Sequence, residues 1–401
     1  MTLLPVAEAR ARILAGVKPL AAETVKLGAA AGRVLAAPVM AKRDQPPFPA
    51  SAMDGYAVRH GDVGALPRRL KVIGMAAAGH GFKGRLKPGE AVRIFTGAPL
   101  PAGADAIVIQ ENAEAPGDGT VSIGEPVKPG QHIRSRGLDF RGGDHLLPAG
   151  IRLTPRDVGL AAAANAALLR VRRKPVVALF ATGDELVEPG MRPRRDQIVS
   201  SNSSGLAAMA RHFGAEVRSL GIVRDSLAAT MRAIARTASA DILVTTGGAS
   251  VGDHDFVQEA LKRSGVKLEF WKIAMRPGKP FMYGRRGRQH VMGLPGNPVS
   301  ALVCARLFLT PLLLAMQGLA GDEPVVEAQL EKAMKANDDR QDYVRATLAV
   351  DADGRRRVSP FAVQDSSMQR TFREAHCLIV RPPHAPEAPA GAMVPILILD
   401  F

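Results

Sequence analysis

Cysteine is nearly missing from this sequence: two residues, Cys304 and Cys377, in a chain of 401. They lie far apart and form no CxxC pair, which argues against a zinc site or a dithiol redox centre. Two are also too few for a disulfide framework, in keeping with a reducing compartment. Aromatic side chains are scarce, 4% with one Trp and three Tyr, so stacked platforms for single-stranded nucleic acid are not expected. The first residues, Met1-Thr2-Leu3-Leu4-Pro5-Val6 followed by Glu8, Arg10 and Arg12, hold no apolar run of signal-peptide or membrane-span length. The expectation is a cytoplasmic protein that binds neither membrane nor nucleic acid. Common catalytic signatures are missing too. Gly278-Lys279 is followed by Pro280, so it is no Walker A loop, and GxGxxG, HExxH and GxSxG do not occur in the expected contexts.

What is present is positive charge and a regular alternation of elements. A chain of 401 residues is too long for one core, and 46% hydrophobic with 23% charged residues is a globular balance, so several folded domains are expected. The formal charge of +15 favours anionic partners such as phosphorylated metabolites or an oxyanion. It is scattered, with Arg285-Arg286 and Arg355-Arg356-Arg357 the short clusters, so a merely solvated surface is an equal reading.

Residues 6–15 read as an amphipathic helix, and 69–123 as short β runs between turns. Thr154-Pro155-Arg156-Asp157 opens an alanine-rich helix expected to reach Leu169 and to close on Arg170, Arg172 and Arg173. From Val176 onward strands (176–180, 216–223, 241–245, 266–273) alternate with helices (203–212, 226–237, 256–262). That is the pattern of βαβ units on a parallel sheet, so 174–319 is expected to be an open α/β domain. Asn297 then suits an N-cap and Pro298 a first helical residue, while Pro311 should kink or break the helix. Beyond Pro324 β patterns return, with a hairpin turn at Asp351-Ala352-Asp353-Gly354.

In open α/β sheets ligands bind beyond the carboxyl ends of the strands. Those ends carry Thr182-Gly183-Asp184-Glu185, Arg224-Asp225 and the glycine-rich run from Thr245 through Gly247, Gly248 and Ser250 to Asp255. Glycines let backbone N–H groups approach an anion, yet the carboxylates would repel a phosphate unless a cation lay between. Mg²⁺ reconciles the two, since it takes one or two carboxylates together with phosphate oxygens. Lys272, Arg276 and Lys279 place three cations within eight residues, able to converge on a multiply charged oxyanion. A protected strand edge is the competing reading of that cluster.

Six stretches in order, SAMDGYAV (51–58), RIFTGAPLP (93–101), ATGDEL (181–186), TTGGASVGDHD (245–255), MRPGKP (275–280) and GLPGNPVSA (293–301), resemble the molybdopterin molybdenumtransferase family of bacterial MoeA and the gephyrin E domain. The resemblance spans nearly the whole chain. It implies a multidomain α/β plus β protein with four domains: an elongated linker domain (1–24, 43–53 and 145–173), an inserted β-rich domain (25–42 and 54–144), an α/β molybdopterin-binding domain (174–319) and a C-terminal β-barrel-like domain (320–401). It also implies a homodimer whose active site is shared between subunits, with Asp54, Thr96, Arg134 and Asp139 coming from the partner copy.

By the same resemblance Glu185 and Asp255 hold Mg²⁺, with Asp225 beside them, while Lys272, Arg276 and Lys279 face molybdate. Gly247, Gly248, Ser250, Pro295, Pro298 and Ser366 contact adenylylated molybdopterin, and AMP is released. The molybdopterin adenylyltransferase is a further candidate partner. The alternatives are adenylylation of molybdopterin itself, or a scaffold role as in gephyrin. This chain departs from the family pattern at three places. Leu138 replaces an acidic residue, Arg276 stands where Lys is usual, and Gln364-Asp365-Ser366 only partly matches Gln-Gly-Ser.

Overall fold

The computed structural model describes every residue except 1–2, 65–66, 248–255 and 322–324. By contact the chain forms two compact units, Met1–Glu23 with Gly32–Val34 and Arg172–Phe401, and Thr24–Ala31 with Leu35–Val171.

The smaller unit is built on a mixed β sheet in the order 106–109, 55–58, 90–94, 68–76, 120–123, 113–114. Its alternating buried residues, among them Val58, Leu70, Val108 and Ile123, form its core. Helix Pro155–Ala163 starts as the sequence predicts, with a reciprocal capping box between Thr154 and Asp157. It does not reach Leu169. Asn165 takes a left-handed backbone (φ 63°), and Leu168–Arg172 is a strand that buries Leu169 and Val171 on one face. Arg170 and Arg172, expected at a helix end, therefore alternate outward from a strand, and Arg173 follows it.

The larger unit carries a six-stranded sheet of β1 (Val176–Thr182), β2 (Glu216–Val223), β3 (Ile242–Thr246), β4 (Lys267–Trp271), β5 (Met282–Arg286) and β6 (Gln289–Leu294), in the order β2-β1-β3-β6-β5-β4. β1 and β3 are continuous apolar runs because they are central and covered on both faces. Three helices, α1 (Asn202–His212), α2 (Leu227–Ala235) and α3 (Phe256–Arg263), lie between the strands in sequence. The sheet is not wholly parallel. β5 runs antiparallel to both β6 and β4, because only Gly287-Arg288 joins β5 to β6, and two residues can close a hairpin but not a crossover.

After β6 comes α4 (Pro298–Cys304), a π turn over Ala305–Leu309, and helix Thr310–Met316. The run continues through Pro311 instead of breaking. The wider π turn lies where a proline removes the N–H for an ordinary helical bond and crowds the preceding turn. This stretch has the length and hydropathy of a membrane span, but 83% of its most apolar window is buried, as for a core helix. Both cysteines are buried, and burial pushes both thiols up, Cys377 to about 12.

The last strands, β7 (Val326–Leu330), β8 (Gln341–Val350), β9 (Arg356–Pro360), β10 (Cys377–Arg381) and β11 (Met393–Ile398), pair as β8-β9-β7-β11-β10 and close through β8–β10. The result is a small barrel around Leu330, Ala346, Val358 and Ile396. The turn at Asp351–Gly354 joins β8 to β9, with the Gly354 N–H donating to the Asp351 carbonyl at 3.0 Å.

Arg173 grips Asp241 with two hydrogen bonds, 2.7 and 2.6 Å, at the start of the sheet, and the Val176 N–H donates to the same carboxylate at 2.8 Å. Burial acts to raise the carboxyl's pKa, but these bonds outweigh it and hold it below the usual range. A depressed folded-state pKa contributes stability above the unfolded value and loses it as pH falls through the folded one. Asp241→Asn should therefore cost roughly 2 kcal/mol at pH 7. In denaturant titrations that difference should shrink as pH falls below the ordinary carboxylate range; a pH-independent cost would contradict it.

Candidate active site

At the centre of the sheet the chain turns from β1 to β2 on one side, while β3 lies on the other. The loops leaving β1 and β3 therefore part at a topological switch point. Gly247, directly after β3, has φ 86° and presses on Thr182 at the end of β1. A Cβ there would fall well inside contact distance of the Thr182 carbonyl oxygen. Asn202 at the start of α1 donates to Thr246 Oγ1 (2.9 Å) and to the Gly296 carbonyl (2.6 Å), and Thr246 donates to the Pro295 carbonyl (3.2 Å). The β2 loop is tied in by Asp184, which accepts from the Asp225 N–H at 3.2 Å. The ends of β1, β2, β3 and β6 are thereby fixed around one opening.

That opening is a cleft of about 760 Å³ whose wall includes Glu185, Asp225, Gly247, Arg276, Lys279 and Pro295. Ser366 reaches it from the barrel. An adjoining hollow of about 500 Å³ shares Thr182, Glu185 and Gly247 and adds Pro298, Ser201 and Asn202. Seven of the residues singled out in the sequence thus meet in one cleft, and Pro298 borders its extension.

Two cations behave differently from expectation. Lys272 is not in the cleft wall. Its backbone is left-handed (φ 77°) and its ammonium lies over the Trp271 ring at 4.5 Å, a cation–π contact. Arg276 lines the cleft but its guanidinium is engaged by the barrel. The short strand Met275–Arg276 pairs with Gln341–Asp342, so Asp342 accepts two bonds from it (2.8 and 2.6 Å) and Asp338 lies 3.3 Å away. Both partners are ionised, so these bonds are charge-assisted, and the Asp342 carboxylate holds the guanidinium above its usual pKa.

The barrel supplies what the sequence did not announce. Arg340 lines the cleft and pairs with Asp338 at 3.0 Å. Arg345, fully buried on β8, donates to Gln364 Oε1 (3.1 Å) and to the Asp365 carbonyl (2.8 Å), and so clamps the 364–366 loop. Arg345 in a β run reads as a strand edge, and Arg340 sits in the bend before β8, so neither carries a local signal. Asn297 stands at the N-cap of α4 but its side chain makes no cap. It donates to Ser366 Oγ at 2.7 Å, and the Ser366 carbonyl accepts from the Val299 N–H at 3.0 Å.

In the smaller unit the Asp54 carboxylate accepts from the Thr96 N–H and hydroxyl, both at 2.8 Å, which hold its carboxyl below the usual range. Arg134 is exposed on a two-residue pairing with Ala50, and Asp139 is exposed with its N–H donating to the Gln45 carbonyl at 2.9 Å. Gly248, Ser250 and Asp255 lie outside the described residues. Among the described residues no group of three or more His, Cys, Asp or Glu is placed to hold a metal. Three carboxylates, Glu185, Asp225 and Asp365, line the cleft, the first two on the loops that leave β1 and β2. Such a sparse oxygen donor set fits Mg²⁺, which draws its remaining ligands from water and phosphate.

An α/β ligand-binding domain whose mixed-charge cleft is completed by a β barrel defines the class. Family models match consecutive parts of the chain: MoeA N-terminal region (domain I and II) over residues 4–165, probable molybdopterin binding domain over 178–315, and MoeA C-terminal region (domain IV) over 327–399. A molybdopterin molybdenumtransferase of Haemophilus influenzae is 35% identical over 398 residues, 98% of each chain. One from Nostoc sp. is 39% identical over 336 residues, 81% of this chain and 77% of that one. The crystal structure of a molybdopterin biosynthesis MoeA protein from Pyrococcus horikosii superposes with a TM-score of 0.83 at 30% identity, covering 99% of both chains. The chain belongs to the molybdopterin molybdenumtransferases, a family of transferases.

Gly247→Ala would have to take a left-handed backbone and push β1 away from β3. It should destabilise the larger unit by about 2 kcal/mol or more in chemical denaturation. A stability equal to the parent's would show that the close approach is not required.

Proposed function

We propose that this chain inserts molybdate into adenylylated molybdopterin and releases AMP. The observation that carries this reading is the sharing of one cleft by Glu185 and Asp225 with Lys279, Arg276 and Arg340. An oxyanion and a pyrophosphate are both strongly charged, and each needs counter-charge on a fixed frame.

Glu185 and Asp225 are the described residues that would hold Mg²⁺, which when bound supplies Lewis-acid polarisation of the pyrophosphate. Lys279 presents a point charge and Arg340 a fork to molybdate, offsetting its two negative charges while the two dithiol sulfurs displace one oxide, which leaves as water with the two thiol protons. The Gly247 backbone lets the phosphate region approach the end of β3 without steric conflict. The hydroxyl and amide groups around Pro298 in the adjoining hollow suit the neutral, hydrogen-bonding edge of a pterin. No protein thiol is needed, in accord with two buried cysteines. The same reading takes the working form as a cytoplasmic homodimer in which Asp54, Thr96, Arg134 and Asp139 are contributed by a second copy.

Glu185→Gln should keep the thermal unfolding of the parent yet slow Mg²⁺-dependent AMP release by about 100-fold or more. Lys279→Ala should raise the molybdate concentration for half-maximal insertion by roughly tenfold, with excess molybdate restoring turnover. Parental kinetics in both variants would refute the assignment, and consumption of ATP with unmodified molybdopterin would favour adenylylation instead.

A further inference from the structure

The loop that the barrel extends into the cleft carries Asp365. Asp365 lies in the same cleft wall as Lys279, Arg276 and Arg340. Its carboxylate accepts from the Ser367 hydroxyl (2.5 Å) and N–H (2.8 Å). These bonds, the hydroxyl's first, keep the carboxyl below its usual range, so it is ionised at neutral pH. Arg345 beneath the loop bonds to the Asp365 backbone carbonyl and to Gln364, not to the Asp365 carboxylate. Among the described residues no cation forms an ion pair with that carboxylate, and the charge that acts on it from beneath is Arg345.

The opposing charges are partly engaged elsewhere. Arg276 serves Asp342 and Asp338, and Arg340 serves Asp338. Lys279 makes no ion pair among the described residues. A doubly negative oxyanion entering this wall meets less net positive charge than a count of its arginines and lysine suggests, and Asp365 subtracts one more unit.

We propose that Asp365 is a specificity-determining residue whose charge weakens the cleft's hold on a free oxyanion, so that tight retention requires a divalent cation. The inference rests on the oxyanion reading of the cleft given above. Its physical basis is the Coulomb energy between like charges across a solvent-filled cleft, which is moderate and screened by salt.

The test is equilibrium dialysis of molybdate against the parent, Asp365→Asn and Ser367→Ala, with and without Mg²⁺, at low and high ionic strength. Asparagine keeps an oxygen that can accept from Ser367 but removes the charge, whereas Ser367→Ala removes a bond and keeps the charge. Without Mg²⁺ at low salt, Asp365→Asn should bind molybdate about three- to tenfold more tightly than the parent. The gain should fall to under about twofold near 1 M salt, and Mg²⁺ should improve the parent more than the variant. Ser367→Ala should match the parent. Equal affinity of Asp365→Asn and the parent, a gain that salt does not diminish, or the same gain in Ser367→Ala would overturn the proposal. Failure of every protein to retain molybdate, with Mg²⁺ included, would instead remove the oxyanion reading and this inference with it.

Discussion

Between the Thr182 carbonyl and the α-carbon of Gly247 there is no room for a side chain. This close approach brings the ends of two central strands together before their loops diverge. From it follow the position of Glu185, three residues beyond Thr182, and the opening between the β1 and β3 loops. Asn202 and Thr246 extend the arrangement to the end of β6 by hydrogen bonds to Gly296 and Pro295. A site built on strand ends held this way needs little reorganisation when a ligand enters, which matters when the ligand is an ion whose binding is chiefly electrostatic.

Charge is handled by pairing across domains within the larger unit. The barrel touches the cleft through Arg340 and the 364–366 loop, and it draws Arg276 toward Asp342. Exposed ion pairs of this kind contribute little to stability on their own. Their consequence is positional: they fix where positive potential is available and leave Lys279 as the cleft cation that makes no ion pair among the described residues. The buried Arg345 has a different role. It satisfies Gln364 and a loop carbonyl out of contact with water, so its removal would leave polar groups unmatched and release the segment that meets α4.

Much of this was legible in the sequence, for physical reasons that differ by residue. The buried strands β1 and β3 show as apolar runs, and the ligand loops follow from the rule that sites lie at strand ends, which placed Glu185, Asp225 and Gly247. The end of the helix that begins at Pro155 was hidden because its alanines favour helix while burial of Leu169 and Val171 imposes a strand. The antiparallel β5 depended on a two-residue turn that periodicity does not weigh. Lys272 and Arg276 stand out in the sequence as charges, but their partners, an adjacent indole and an aspartate 66 residues away, are set by tertiary contacts. Arg340 and Arg345 had no local signal at all.

The central claim is that acidic and basic groups in one cleft accept a divalent ion and a tetrahedral oxyanion together. Crystals soaked with Mn²⁺ and tungstate, which stand in for Mg²⁺ and molybdate and scatter anomalously, would locate both directly. The account predicts one anomalous peak against the Glu185 carboxylate and a second within reach of Lys279 and Arg340, in the same cleft. Peaks on separate faces of the protein, or a tungstate peak held by Lys272 outside the cleft, would contradict it.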